Sequence, residues 1–137
     1  MQATSDHLIA TENGGGKIRE NILRDIRYPL HKIADRILPY LRVLQDQFHP
    51  EKVVIFGSYA YGNPDQDSDV DILVVKPILA SRVKDKVAIR SAWWPLLLQK
   101  EPLSFDLMLT SPQESEALAG ETQSYLSKIL TQGIRVL

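Results

Sequence analysis

Apolar residues fall at two periods along this chain, and the changes of period mark out its elements. Between Lys17 and Tyr28 the apolar positions are Ile18, Ile22, Leu23 and Ile26, with charges between them, which is helical spacing. Pro29 interrupts it. A second helical stripe, Ile33, Ile37, Leu38, Leu41, Leu44 and Phe48, predicts a helix over residues 30–48, closed by His49-Pro50. The period then changes. Val53 to Phe56 is a continuous apolar run that reads as a strand buried on both faces. Ser58 to Tyr61 predicts a short helix, Gly62-Asn63-Pro64-Asp65 a turn, and Val70 to Val75 a second strand. Pro77 to Gln99 reads as a helix with Val83, Val87 and Ile89 inward and a kink near Pro95. Leu103 to Leu109 alternates as a third strand. Ser111-Pro112 opens a last helical region through Leu118, Tyr125, Leu126, Ile129 and Leu130, broken at Gly133. The polar stretch 1–16, ending in three glycines, reads as a flexible N-terminal tail. Residues 17–137 then form one domain, with a helical extension to about residue 48.

Composition narrows the classes. At 137 residues, 44% hydrophobic and 24% charged, the chain suits one soluble globular core. A net charge of −1 argues against a broad nucleic-acid-binding surface. The absence of cysteine removes disulfides, thiolate metal sites and thiol nucleophiles, and fits a cytoplasmic protein. No apolar run approaches the ~20 residues that span a bilayer, and the N-terminus does not read as a signal peptide. The basic residues Arg19, Arg24, Arg27, Lys32, Arg36 and Arg42 read as a solvated helix face. His7, His31 and His49 have no metal-ligand spacing to one another.

The chemistry sits between the first two strands. The loop leaving Val53–Phe56 begins Gly57-Ser58, and the next strand is entered through Ser68-Asp69-Val70-Asp71. Acids at i and i+2 on a strand share a face, roughly 6.5 Å apart, so two carboxylates can serve the same hard cations. A Gly-Ser turn can present backbone N–H groups and a hydroxyl to phosphate. Together these suit a metal-bound nucleoside triphosphate. Asp106, in Phe105-Asp106-Leu107-Met108-Leu109, is a third acid of interest, because a carboxylate amid an apolar strand is costly unless paired or metal-bound.

This stretch resembles the minimal nucleotidyltransferases, the smallest members of the DNA polymerase beta superfamily. Their signature is Gly-Ser, ten residues, then Asp-x-Asp; here it is Gly57-Ser58, residues 59–68 and Asp69-Val70-Asp71. The resemblance runs over about residues 30–137. It implies an α/β, polymerase-beta-like nucleotidyltransferase fold, a small mixed sheet of three or four strands flanked by helices. It implies ATP as substrate and two magnesium ions held by Asp69, Asp71 and Asp106, the last beside the attacking hydroxyl. Gly57, Ser58 and Ser68 would bind the nucleotide. It further implies an antitoxin paired with a HEPN-family ribonuclease toxin, neutralising it by AMP transfer to a tyrosine hydroxyl, with no direct nucleic-acid binding by this chain.

Plainer readings stand beside these. Asp69 could cap a turn, Asp71 could be a solvent-facing strand residue, and Asp106 could pair with an arginine. Asp65 and Asp67 read as turn formers. Trp93-Trp94 with Leu96, Leu97 and Leu98 is an apolar cluster that fits either core or a partner interface. One departure stands out. Many relatives carry Arg after the alanine of Gly-Ser-x-Ala-x-Gly, where this chain has Tyr61; Lys76, Arg82 or Lys84 are candidate replacements for that charge. Two further functions remain open: an antitoxin that masks the HEPN protein by binding alone, and a nucleotidyltransferase acting on a small molecule or RNA end.

Overall fold

A computed structural model of the chain describes residues 18–24, 28–119 and 124–137. The expected tail over residues 1–16 lies outside these, as do Lys17 and residues 25–27 of the first expected helix. Residues 18–23 are helical (α1), with Ile18 and Ile22 buried. The stripe expected as one helix over 30–48 is helical throughout but changes pitch. It starts as a 3-10 turn, Pro29–Ile33, continues as α2, Ala34–Val43, and ends as a π-turn, Leu44–Phe48. His49 closes it in the left-handed region (φ 47°), donating its N–H to the Leu44 carbonyl at 3.1 Å.

Among the described residues the sheet has four strands: β1 (Lys52–Phe56), β2 (Val70–Val75), β3 (Phe105–Thr110) and β4 (Ile134–Arg135). Their spatial order is β3-β2-β1-β4. β1 pairs antiparallel with β2 and β4, and β2 pairs parallel with β3, so the sheet is mixed. The sequence pattern did not reveal β4, which has only two residues behind the break at Gly133. The parallel β2–β3 pair needs a crossover, supplied by α4 (Arg82–Ala92) and the short α5 (Trp94–Leu97). The remaining helices are α3 (Ser58–Tyr61), α6 (Pro112–Ala119) and α7 (Tyr125–Gln132).

Alternation along the strands divides the core in two. Val53, Ile55, Val70, Ile72, Val74, Phe105, Leu107 and Leu109 face the larger cluster, under α1, α2 and α4. Val54, Phe56, Leu73 and Val75 face a smaller cluster with Leu126 and Ile129 of α7, joined by Met108 and by Leu118 of α6. This second face is the one from which Asp71 and Asp106 project, by the same alternation.

Two locks fix β3 and α4. Tyr40, Trp93 and Phe105 pack ring against ring at 4.6–5.6 Å. Trp93 Nε1 donates to the Tyr40 carbonyl at 3.0 Å, and the Leu103 N–H donates to Tyr40 Oη at 3.1 Å. Buried polar atoms are thereby satisfied just ahead of β3. At the far end of the sheet, Lys76 Nζ pairs with Asp85 Oδ2 at 3.1 Å, both side chains buried. Asp85 also accepts from the N–H groups of Leu79 (2.7 Å) and Ala80 (3.1 Å), pinning the connection into α4.

The expected helix over Pro77–Gln99 needs correction. It begins only at Arg82, and Asp85, Ile89 and Trp93 point inward. Val83 and Val87 point outward, 72% and 58% exposed. The i, i+4, i+8 core positions are real, but an ion-paired aspartate occupies the first of them, which displaces the apolar phase.

Candidate active site

Gly57 leaves β1 with φ +72°, a region that side chains disfavour. A Cβ built there would overlap the Asp71 carboxylate, so glycine is required both by the turn and by what lies against it. The turn is closed by the N–H groups of Ala60 and Tyr61 donating to the Gly57 carbonyl, each at 3.0 Å. Ser58 is the first residue of α3 and is half-buried.

Across the sheet, Phe56 of β1 stands opposite Asp71 of β2, and Asp71 is in register with Asp106 of β3. Neighbouring strands lie about 4.8 Å apart, and the Asp71 and Asp106 carboxyls meet closely enough to share a hydrogen bond. Burial pushes the Asp71 carboxyl above its ordinary range, and the Asp106 carboxyl and then Asp69 push it the same way. Asp69 sits in the exposed entry to β2 and acts on Asp71 through space. Among the described residues no group of three or more His, Cys, Asp or Glu side chains stands arranged around one metal position. The structure thus brings Asp71 and Asp106 together and leaves Asp69 beside them. Asp106 is exposed as the second residue of β3, so burial cost is not what marks it out. Its register with Asp71 is. Two abutting carboxylates repel when both are ionised, and a divalent cation between them would remove that repulsion. The donor set is all oxygen, as a hard cation requires.

Ser68 lies between this site and a turn. Its Oγ accepts from the Asp65 N–H (2.9 Å) and meets Asp65 Oδ1 at 3.3 Å, while Asp65 Oδ1 accepts from the Asp67 N–H at 2.8 Å. Asp65 is therefore the turn former that its composition suggested. Ser68 and Asp69 also line a cavity of about 560 Å³ with Arg36, Tyr59, Glu101 and Ser104. Tyr59 belongs to the larger core cluster, so this cavity opens around the strand ends toward that face. Arg36, counted from sequence among solvated helix charges, contributes a cation there and donates to the Glu101 carbonyl at 3.2 Å.

The candidate replacements for the missing arginine fare poorly. Lys76 is buried and committed to Asp85. Arg82 pairs with Glu114 and donates to the Leu109 carbonyl, toward the other end of β3. Lys84, two residues further along α4, shares that end. Arg90 is nearer, donating to the carbonyl of Phe105, the residue before Asp106, at 3.2 Å. Sequence reasoning also missed Tyr125, which it counted as part of an apolar stripe. The ring stands on Phe56, centroids 6.2 Å apart and nearly perpendicular.

The Gly57 geometry gives a direct prediction. Gly57→Ala should lower stability by about 1–2 kcal/mol through its positive φ. It should cost far more in nucleotidyl transfer, because Asp71 must move. Thermal unfolding and turnover measured on the same preparation check this: a variant with native turnover would contradict the geometry.

The nucleotidyltransferase domain family matches residues 37–133, more than half of the chain. A putative protein adenylyltransferase of Methanocaldococcus jannaschii is 33% identical over 45 residues, covering 33% of this chain and 45% of that protein. The chain thus spans less than half the length of this curated relative. With the sheet order, the Gly-Ser turn and the paired aspartates in place, the chain belongs to the nucleotidyltransferase domain family, with a polymerase-beta-like mixed sheet flanked by helices.

Proposed function

We propose that this chain transfers AMP from ATP to a tyrosine hydroxyl of a HEPN-family ribonuclease toxin and so acts as its antitoxin. The observation that carries nucleotidyl transfer is the Asp71–Asp106 pair abutting the side-chain-free Gly57. Asp69, Asp71 and Asp106 would hold the magnesium ions, which when bound neutralise triphosphate charge and polarise the α-phosphate. The rest is positioning by the chain. Gly57 leaves room for phosphate oxygens, and Ser58 and Ser68 offer hydroxyls to the nucleotide. The acceptor oxygen bonds to the α-phosphorus as the bond to the β-phosphate oxygen breaks. Pyrophosphate leaves, and Asp106 takes the hydroxyl proton or passes it to solvent. A cytoplasmic setting, where ATP is supplied, is part of this reading.

Two features support a protein acceptor. One is the similarity to the Methanocaldococcus jannaschii protein, which is named a putative protein adenylyltransferase. The other is an apolar stripe on α4 and α5. Val83 and Val87, one turn apart on α4, are exposed, as are Trp94 at the start of α5 and Leu98 just after it. Val87, Arg90, Ser91, Trp94 and Leu97 line a groove along it. Exposed Lys84 and Arg90 flank the stripe, and Arg90 reaches the strand that carries Asp106. A helical partner with apolar positions and an acidic rim complements this surface. Adding AMP near an RNA-binding groove of such a toxin introduces bulk and negative charge that oppose phosphate binding. Trp94→Glu and Val87→Glu should leave the melting temperature nearly unchanged, since both residues are exposed. Each should weaken the complex with the HEPN partner at least about 30-fold, as loss of an interface anchor does. Calorimetric titration of the two purified proteins checks it; native affinity in both variants would move the docking face elsewhere.

The cavity beside Asp69 favours the second reading, a small-molecule or RNA-end acceptor, since its size and polar walls suit a small ligand. Intact mass separates the possibilities. The HEPN protein is incubated with ATP, magnesium and either the native chain or its Asp69→Ala or Asp71→Ala variant. A gain of AMP units with the native chain alone supports the proposal. No gain, with toxicity suppressed by all forms, means masking by binding.

A further inference from the structure

The second sheet face carries more than the two carboxylates. Its transverse row reads Phe56, Asp71, Asp106 from β1 to β3. α7 packs over this face through Leu126 and Ile129, burying Val54, Phe56, Leu73 and Val75. Its first residue, Tyr125, stands at the carboxylate end of that cover. Phe56 supports the ring edge-on, yet the residue remains 62% exposed. A large aromatic held in place and left open is unusual, because full burial against Leu126 and its neighbours would gain more apolar area. On the other side of Gly57, Tyr61 occupies the last position of α3, one turn beyond Ser58, and is 56% exposed. These two open phenols border the carboxylates and the Gly-Ser turn from opposite elements. Tyr40 and Tyr59, by contrast, are buried in the core.

We infer that Tyr125, assisted by Tyr61, is the stacking platform for the nucleobase of the triphosphate. This rests on the nucleotidyltransferase reading and extends it to the part of the substrate that the carboxylates and the Gly-Ser turn leave unbound. Phosphates and cations engage Gly57, Ser58 and the aspartates; the base then needs an apolar, flat surface within a nucleotide's reach of Asp71 and Asp106. Tyr125 meets that requirement, with Phe56 fixing its ring so that little side-chain freedom is lost on stacking. A tyrosine phenol ordinarily titrates near 10. It therefore stays neutral at physiological pH and adds no charge against the triphosphate. Stacking is tolerant of base identity, so selectivity among purines and pyrimidines follows stacking strength, with purines preferred.

The test compares ATP with inorganic tripolyphosphate, both with magnesium, by calorimetric titration of the full chain. The native chain should bind ATP more tightly than tripolyphosphate. Tyr125→Ala should weaken ATP about tenfold or more and leave tripolyphosphate unchanged, while Tyr125→Phe and Tyr125→Trp stay near native. Tyr61→Ala should act in the same direction with a smaller effect. Equal loss of both ligands in Tyr125→Ala would mean that the ring merely props the fold, and unchanged ATP affinity would mean that it is idle; either overturns the inference. AMP found covalently on Tyr125 by intact mass would make the phenol an acceptor instead, and overturns it too. A native chain that binds neither ligand would overturn the nucleotidyltransferase reading along with it, a result distinct from the loss of base stacking alone.

Discussion

Asp71→Asn should abolish nucleotidyl transfer while making the folded chain more stable at neutral pH. If Asp71 holds a magnesium ion as proposed, exchanging its charged carboxylate for a neutral amide takes several kcal/mol from stabilisation of the transferring phosphoryl group, a loss of at least about 10³-fold in turnover. Stability moves oppositely. Burial raises the Asp71 carboxyl in the folded state, with Asp106 and Asp69 adding to it. The folded chain therefore holds this proton more tightly than the unfolded chain. The associated stability is fully present below the unfolded value near 3.9 and is lost as pH rises through the raised folded value. At pH 7 the ionised native side chain opposes folding, and asparagine does not. A higher melting temperature than that of the native chain is therefore expected at pH 7, with the difference closing as the pH falls. Magnesium should narrow the gap by stabilising the native chain alone. Full turnover by the variant, or a lowered melting temperature at pH 7, would contradict the assignment.

Asp85→Ala should be the most destabilising single change away from the site. Removing one partner of a buried ion pair strands the other, at a cost of about 3–5 kcal/mol. That is a large fraction of the ~5–15 kcal/mol that holds a domain together. Here the stranded group is Lys76, buried at the end of β2. The loss also frees the N–H groups of Leu79 and Ala80. A double variant, Lys76→Met with Asp85→Leu, should recover much of the loss, since apolar replacement of a buried pair is often neutral. The pH dependence has the opposite sign to that of Asp71. The Leu79 N–H first, with Lys76 and the Ala80 N–H, holds Asp85 below its ordinary range against the opposing effect of burial. Its stabilisation is therefore present above the unfolded value near 3.9 and disappears as the pH falls through the lowered folded value. Denaturant titrations from pH 7 to pH 2 check both statements. A native-like midpoint in Asp85→Ala would show that the pair contributes little.

The contrast between these two acids explains what the sequence could convey. Gly57-Ser58 and Asp69-Val70-Asp71 were legible because they are local: a turn residue without a side chain, then acids two apart at the mouth of a strand. The extents of the first two strands were legible for the same reason, with Val70–Val75 matching and Val53–Phe56 extended by Lys52 alone, whereas the third, expected over Leu103–Leu109, runs from Phe105 to Thr110. Asp106 could be singled out by its surroundings, but the register that sets it beside Asp71 is a long-range fact that alternation cannot supply. The inward face of α4 was misjudged for a physical reason. Asp85 holds a core position through Lys76, an interaction invisible to a hydrophobic periodicity, so Val83 and Val87 were wrongly turned inside. Tyr125 was hidden differently. At helical spacing with Leu126 and Ile129 it looks like core, and only the way α7 crosses the sheet end leaves its ring open.

The central claim is that the Asp71–Asp106 site transfers a nucleotide and not a phosphate. Its most direct test is a paired label experiment: the chain, magnesium and the HEPN protein with ATP labelled either at the α- or at the γ-phosphate. The α-label should enter the acceptor while the γ-label leaves as pyrophosphate, and neither should happen with Asp71→Asn or Asp106→Asn. Label from the γ-position in the acceptor, or α-label incorporated equally by the aspartate variants, would contradict it.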